Sequence, residues 1–118
     1  MIIGNGVDII EVKRVRQAAQ KWGNGFLKRV FTEKELENAK SRGARYEHLA
    51  GRFAAKEAVF KALLDNEVSF KDIEISNDRQ GKPVCTLLRR ARKNLDIHIS
   101  ISHVKNYAVA SAVITQKT

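Results

Sequence analysis

The 118 residues include one cysteine, Cys85, so the chain can form no internal disulfide. Cys85 lies in the strand-like run Val84 to Leu88 with no metal-ligand spacing around it, which makes it a small buried side chain rather than a nucleophile. No apolar run approaches the roughly 20 residues that span a bilayer, and Met1-Ile2-Ile3 gives way at once to Gly4 and Asn5. Neither a signal peptide nor a transmembrane segment is therefore expected, and a cytoplasmic location is the default. A G-x-S-x-G elbow is also missing, so Ser100, Ser102 and His103 have no hydrolase context. Repeats, linkers and low-complexity stretches are absent too. Acid is scarce beside base: 13 Asp and Glu stand against 22 Lys and Arg, a formal charge of +9. The excess implies an anionic partner, whether nucleic acid, an acidic protein or a phosphate-rich small molecule.

At this length the chain reads as one domain over residues 1–118, able to bury roughly two thirds of its unfolded surface. Ile2 to Ile10 reads as a strand carrying Gly4, Gly6 and Asp8 on one side. Glu11 to Trp22 follows as an amphipathic helix with Val12, Val15, Ala19 and Trp22 along its apolar stripe, interrupted by Gly23 and Gly25. Thr32-Glu33-Lys34-Glu35 is a capping box opening a polar helix that runs to about Arg42. Beyond Leu64 the period changes from helical to alternating. Phe70 to Ile75 reads as a strand, Asn77 to Lys82 as a turn and Pro83 to Leu88 as the return. Asp96 to Ser102 places Ile97, Ile99 and Ile101 on one face, and Tyr107 to Ile114 forms the last strand. Helices first and antiparallel hairpins later make the class α+β.

The segment Glu47 to Leu64 holds the densest chemistry. At 3.6 residues per turn, Leu49, Phe53, Phe60 and Leu64 make a large apolar stripe, and Gly51, Ala55, Ala58 and Ala62 a small one. Such a helix is covered on most sides, yet Arg52, Lys56, Glu57 and Lys61 are set into it. Buried charges are costly unless paired, metal-bound or ligand-bound. The plainer alternative for Glu57 and Lys61 is a surface pair four residues apart, worth about 0.2–0.5 kcal/mol. Asp8 interrupts the apolar run Val7 to Ile10, and with Glu11 three residues later it also reads as a helix cap. The turn around Gly81, Lys82 and Pro83 is explained by turn chemistry, with phosphate binding by its amides and the Lys82 ammonium as the functional alternative.

Four stretches, in order, resemble one family. They are G-N-G-V-D-I-I-E-V-K-R-V, R-F-A-A-K-E-A-V-F-K-A-L, D-I-E-I-S-N-D-R-Q-G-K-P and I-S-I-S-H-V-K-N-Y-A-V-A-S-A-V-I, and together they span most of the chain. The chain resembles the holo-acyl-carrier-protein synthases, small 4′-phosphopantetheinyl transferases of fatty acid synthesis. The resemblance implies coenzyme A and Mg²⁺ as ligands, and transfer of the phosphopantetheine arm to a serine of apo acyl carrier protein, with adenosine 3′,5′-bisphosphate released. Asp8 and Glu57 match the metal carboxylates, and Lys61 matches a lysine that stabilises phosphate charge. His103 matches a histidine near the coenzyme A phosphates, while Gly81, Lys82 and Pro83 match a nucleotide-contacting segment. Arg52 is a further candidate for that ligand. For the serine proton, a carboxylate and a metal-bound water are both open as base.

Arg14, Arg16 and Lys21 on the first helix gain a partner by the same resemblance, because acyl carrier proteins are acidic around the modified serine. The small members of the family are trimers with active sites between subunits, and an exposed Ile97/Ile99/Ile101 face is compatible with such an interface or with ordinary core. Two departures stand out: the stretch Leu64 to Val68 has no glycine, and Cys85 to Leu95 is short, basic and glycine-free. A nucleic-acid-binding module is the rival from another class. It explains the charge but not Asp8 and Glu57, and the aromatic residues show no stacking pattern. The expectation is an enzyme that acts on neither nucleic acid nor membrane.

Overall fold

A computed structural model describes residues 1–63, 68–89 and 94–117. Its elements are β1 (Ile2–Glu11), α1 (Val12–Val30), α2 (Glu33–Lys40), α3 (Arg45–Leu63), a 3₁₀ turn (Phe70–Asp72), β2 (Ile73–Asn77), β3 (Pro83–Leu87), β4 (Leu95–His103) and β5 (Tyr107–Gln116). The strands form two antiparallel sheets, β1-β5-β4 and the β2-β3 hairpin, so the class is α+β as expected.

Small residues decide how α3 meets the three-stranded sheet. A Cβ on Gly4 would lie 2.2 Å from the Ala62 carbonyl oxygen, and one on Gly6 2.2 Å from that of Ala58. Only glycine lets the β1 backbone approach a helix this closely. The inner sheet face is then tiled by Ala110, Ala112 and Ile114, buried in one cluster with Ala54, Ala55, Ala58 and Ala62, and by Ala108, buried in the neighbouring cluster with Leu49 and Ala50. Asp8 alternates with the same face as Gly4 and Gly6, which delivers its carboxylate to α3.

Several expectations need correction. Glu11, not Asp8, occupies the N-cap position of α1, and it makes no side-chain cap hydrogen bond. Gly23 does interrupt the helix, at φ 62° and ψ −146°, but the chain resumes helical geometry through Gly25 to Val30. The kink takes Trp22 out of the buried stripe: it is 59% exposed, whereas Val12, Val15 and Ala19 are buried. The second helix ends at Lys40 rather than Arg42. Phe70–Asp72 forms a 3₁₀ turn and not a strand, because Asp72 accepts from the Ser69 amide and hydroxyl and closes the turn locally.

Ile97, Ile99 and Ile101 pair with Ile114, Ala112 and Ala110, so they belong to the inner face, toward α3. The exposed apolar face is the opposite one, with Val7, Ile9, Tyr107 and Val109. The glycine-free segment after Leu63 lies outside the described residues, except for Val68, as do residues 90–93 of the basic stretch. Cys85 is partly buried against the core, and burial, with the Glu35 charge, pushes its thiol up to about 12. It is inert at neutral pH.

Candidate active site

β1 and α3 bring Asp8, Glu57 and Lys61 to one corner. The Lys61 ammonium lies 3.2 Å from Asp8 Oδ1 and also 3.2 Å from the Val7 carbonyl oxygen. Lys61 therefore reaches across to the strand, and the simple Glu57–Lys61 surface pair does not describe it. Burial, then the negative charge of Asp8, raises the Glu57 carboxyl above its ordinary range, while Lys61 opposes the shift. Two carboxylates close enough to repel, one already beside a cation, form a site that favours added positive charge.

A second cluster gathers at the N-terminal half of α3. Arg52, nearly buried, donates from Nη2 to Asn77 Oδ1 at 3.1 Å and ties α3 to the β2-β3 hairpin. In the following turn, Asp78 Oδ1 accepts from the amides of Gln80 and Lys82, and the Asp78 carbonyl accepts from Gly81. These amides are occupied within the turn, which corrects the idea that they would cradle a phosphate. At the end of β4, His103 Nδ1 lies 3.7 Å from Glu47 Oε2. Next to it is a cavity of about 330 Å³ lined by Arg42, Gly43, Ala44, His48 and His103.

The two clusters do not share a face of α3. His48 and Glu57 are nine residues apart, which is two and a half turns and about 13.5 Å of rise. They project from opposite sides of the helix.

A model of the 4′-phosphopantetheinyl transferase superfamily matches residues 4–112, which include every residue of both clusters. The chain belongs to this superfamily. A holo-(acyl-carrier-protein) synthase of Fusobacterium nucleatum is 46% identical over 123 aligned positions, covering 97% of this chain and 99% of the relative. The crystal structure of a holo-(acyl-carrier-protein) synthase from Bacillus anthracis in complex with CoA (3′,5′-ADP) superposes with a TM-score of 0.85 at 42% identity, covering 100% of this chain and 99% of that one. The Helicobacter pylori synthase in complex with coenzyme A gives 0.82 at 31% identity, covering 94% and 99%.

On this transferase fold the basic residues of α1 divide. Arg14 and Lys21 are seven apart and share a stripe, with Arg14 Nε 3.3 Å from Glu11 Oε1 and the Lys21 ammonium 4.9 Å from the Trp22 ring centroid. Arg16 lies round the helix, its guanidinium 5.7 Å from the Tyr46 ring centroid. It borders a groove of about 320 Å³ that also takes in Lys13, Lys105 and Tyr107. Lys105 escaped the sequence reading because it stood in a turn with no periodicity to mark it.

His48 also escaped it, since one histidine among helical residues carries no signal. It is nine-tenths buried, and its Nε2 has no hydrogen-bond partner among the described residues. Burial, followed by the charges of Arg52, Arg42 and His103, lowers its pKa to about 4. The unfolded chain takes up a proton near the ordinary value of 6.5, but the folded one does not until about 4. Stability is therefore expected to fall as pH drops through that window, by up to about 1.4 kcal/mol per pH unit from this group. Urea denaturation at pH 7, 5.5 and 4.5 checks this, and the His48→Phe variant should show a shallower slope.

Proposed function

We propose that the Asp8–Glu57–Lys61 corner is where this transferase moves the 4′-phosphopantetheine arm of coenzyme A to a serine of apo acyl carrier protein, in fatty acid synthesis. One observation carries the reading: two carboxylates and an ammonium converge from separate elements on a partly exposed corner. The donor set fits Mg²⁺, with oxygen ligands only and, among the described residues, no group of three or more His, Cys, Asp or Glu to enclose a metal. Asp8 and Glu57 would hold the ion, and when bound it supplies charge neutralisation to the pyrophosphate.

The new bond joins the serine oxygen to the phosphorus that carries the pantetheine arm. The pyrophosphate P–O bond breaks, adenosine 3′,5′-bisphosphate leaves with the electron pair, and the serine proton passes to a carboxylate or to water. Lys61, half exposed and one turn from Glu57, is placed to offset charge on the leaving phosphate. Arg52, His103 and the Gly81–Lys82–Pro83 turn serve the nucleotide, with the Lys82 ammonium as the anion-binding group of the turn. Residues 1–118 work as one domain. Among the described residues no helix is long and apolar enough to cross a membrane, and we assign the protein to the cytoplasm. Coenzyme A with Mg²⁺ should raise the melting temperature, and coenzyme A with EDTA should raise it much less. Stabilisation by any polyanion, with no metal effect, would instead favour nucleic-acid binding.

The opposed faces of α3 support a site completed by a second copy, with Asp8, Glu57 and Lys61 from one chain and the nucleotide cluster from its neighbour. The exposed Val7, Ile9 and Val109 patch gives the copies an apolar surface to share, and a homotrimer is the assembly proposed. Ile9→Glu should convert the trimer to monomer in sedimentation velocity and reduce transfer with it. A monomeric wild type of full activity would overturn the shared site.

Arg14 and Lys21 form the centre of the carrier-docking surface, and Arg16 its margin. Arg14→Glu should raise KM for the carrier about tenfold at low salt, with coenzyme A affinity unchanged and the difference shrinking as salt rises. Loss of coenzyme A binding would contradict the assignment.

A further inference from the structure

The Tyr46 ring gathers two arginines from separate elements. The Arg16 guanidinium of α1 lies 5.7 Å from the ring centroid, and that of Arg45, the first residue of α3, lies 5.6 Å from it. None of the ion pairs among the described residues includes either arginine. Arg45 Nε is buried there without a hydrogen-bond partner, which leaves the terminal nitrogens as its donors. A cation in the first turn of a helix also works against the helix dipole. Fold stability therefore gives no reason for an arginine at this position. The ring itself is fixed, because Tyr46 packs against the cluster of Val12, Val15, Leu49 and Ala50. Stacking on a fixed aromatic face restricts a guanidinium that would otherwise sample many rotamers.

We propose that Tyr46 is a positioning residue for the acyl carrier protein, holding Arg16 and Arg45 as a second anchor for its acidic surface. This inference rests on the carrier being the acceptor substrate. Three observations favour that partner. Lys13 lies between Arg14 and Arg16 round α1, so positive charge runs unbroken from the Arg14–Lys21 stripe to the stack. Lys13, Arg16 and Lys105 line one groove of about 320 Å³, and the one acid of its lining, Glu11, is engaged by Lys13 at 3.7 Å and by Arg14 at 3.3 Å. Arg45 does not line the cavity of Arg42, His48 and His103, and turns to Tyr46 instead. Cations spread over α1, the start of α3 and the β4–β5 turn match an acidic protein surface better than a single small anion. Arginines already ordered on the ring lose less side-chain entropy when the carrier arrives, which strengthens docking.

Steady-state transfer by the full chain to an apo acyl carrier protein at low salt tests this. Arg45→Ala should raise KM for the carrier about 3-fold to 10-fold, with kcat and coenzyme A affinity unchanged and the difference shrinking as salt rises. Tyr46→Leu should do the same, and Tyr46→Phe, which keeps the ring, should restore the wild-type KM. A merely structural ring is told apart by a double-mutant comparison. Tyr46→Leu should have no further effect once Arg16→Ala and Arg45→Ala are both present, because no guanidinium is left to hold. An unchanged KM in Arg45→Ala overturns the proposal, and so does a Tyr46→Leu effect of equal size with and without the two arginines. Arg45→Ala removes a half-buried cation and no core side chain, so it remains decisive if Tyr46→Leu fails to fold. Unchanged carrier kinetics with weaker binding of a short single-stranded RNA would assign the arginines to nucleic acid and also overturn it. If the wild type modifies the carrier and these variants match it, only the role of Tyr46 falls. If the wild type modifies no carrier, the transferase reading falls first.

Discussion

Glu57→Gln is expected to abolish phosphopantetheine transfer, by about 10³-fold or more, and Asp8→Asn to do the same. Each removes one of two carboxylates proposed to hold a metal whose charge stabilisation is worth several kcal/mol, and each 1.4 kcal/mol is a factor of ten in rate. The stability of the metal-free protein should move the other way. The Glu57 carboxyl sits above its ordinary range because of burial and the Asp8 charge. The folded state therefore holds that proton more tightly than the unfolded one, and stability from this group is lost as pH rises through the raised value. Above that raised value the ionised Glu57 costs the fold stability, so there Glu57→Gln should melt higher than wild type without metal. It should also lose the stabilisation that Mg²⁺ with coenzyme A confers. Wild-type rates in both variants would remove the metal assignment.

Lys56→Met is the second large effect, and it concerns the fold rather than the chemistry. Lys56 and Glu35 are wholly buried, with the ammonium 2.5 Å from Glu35 Oε1 and 2.9 Å from the Val30 carbonyl oxygen. Glu35 also accepts from the Thr32 amide at 2.9 Å and the Ile75 amide at 2.7 Å. One carboxylate thus joins α2, α3 and β2 in a single network. Removing the lysine alone leaves a buried, uncompensated charge, at a cost of about 3–5 kcal/mol. That is a large fraction of a domain's usual stability of about 5–15 kcal/mol. Adding Glu35→Gln should restore about 1–3 kcal/mol, since the amide keeps an acceptor oxygen for a backbone donor and drops the charge. Guanidinium denaturation of the two variants checks this. A cost below about 1 kcal/mol for Lys56→Met would show that the pair contributes little.

These two effects mark what could and could not be read from the sequence. β1, the capping box, the extent of α3 and the β2-β3 hairpin were all legible, because each rests on local periodicity or local turn chemistry. The small stripe of α3 was legible as a stripe, but its purpose needed Gly4 and Gly6, far away in the chain, to meet Ala58 and Ala62. Glu35 was read as the third residue of a capping box, which it is. Nothing local says that its second oxygen reaches β2 or that its partner is Lys56. Lys56 was among the charges that burial made suspect, and the structure resolves it as a paired core lysine instead of a ligand contact. Trp22 was misjudged, and the Ile97–Ile101 face stayed open between interface and core, for a common reason: periodicity identifies a stripe but not which side of the element the rest of the protein covers. Asp8 had two local meanings, and only the position of α3 separates them.

Intact-mass spectrometry of an apo acyl carrier protein, incubated with this chain, coenzyme A and Mg²⁺ and compared with an EDTA control, shows whether the chain transfers the phosphopantetheine arm and whether it needs the metal. The carrier should gain one phosphopantetheine with Mg²⁺, and none with EDTA or with Glu57→Gln. An unmodified carrier in all three, across several carriers, would contradict metal-dependent transfer, and so would equal modification with and without metal.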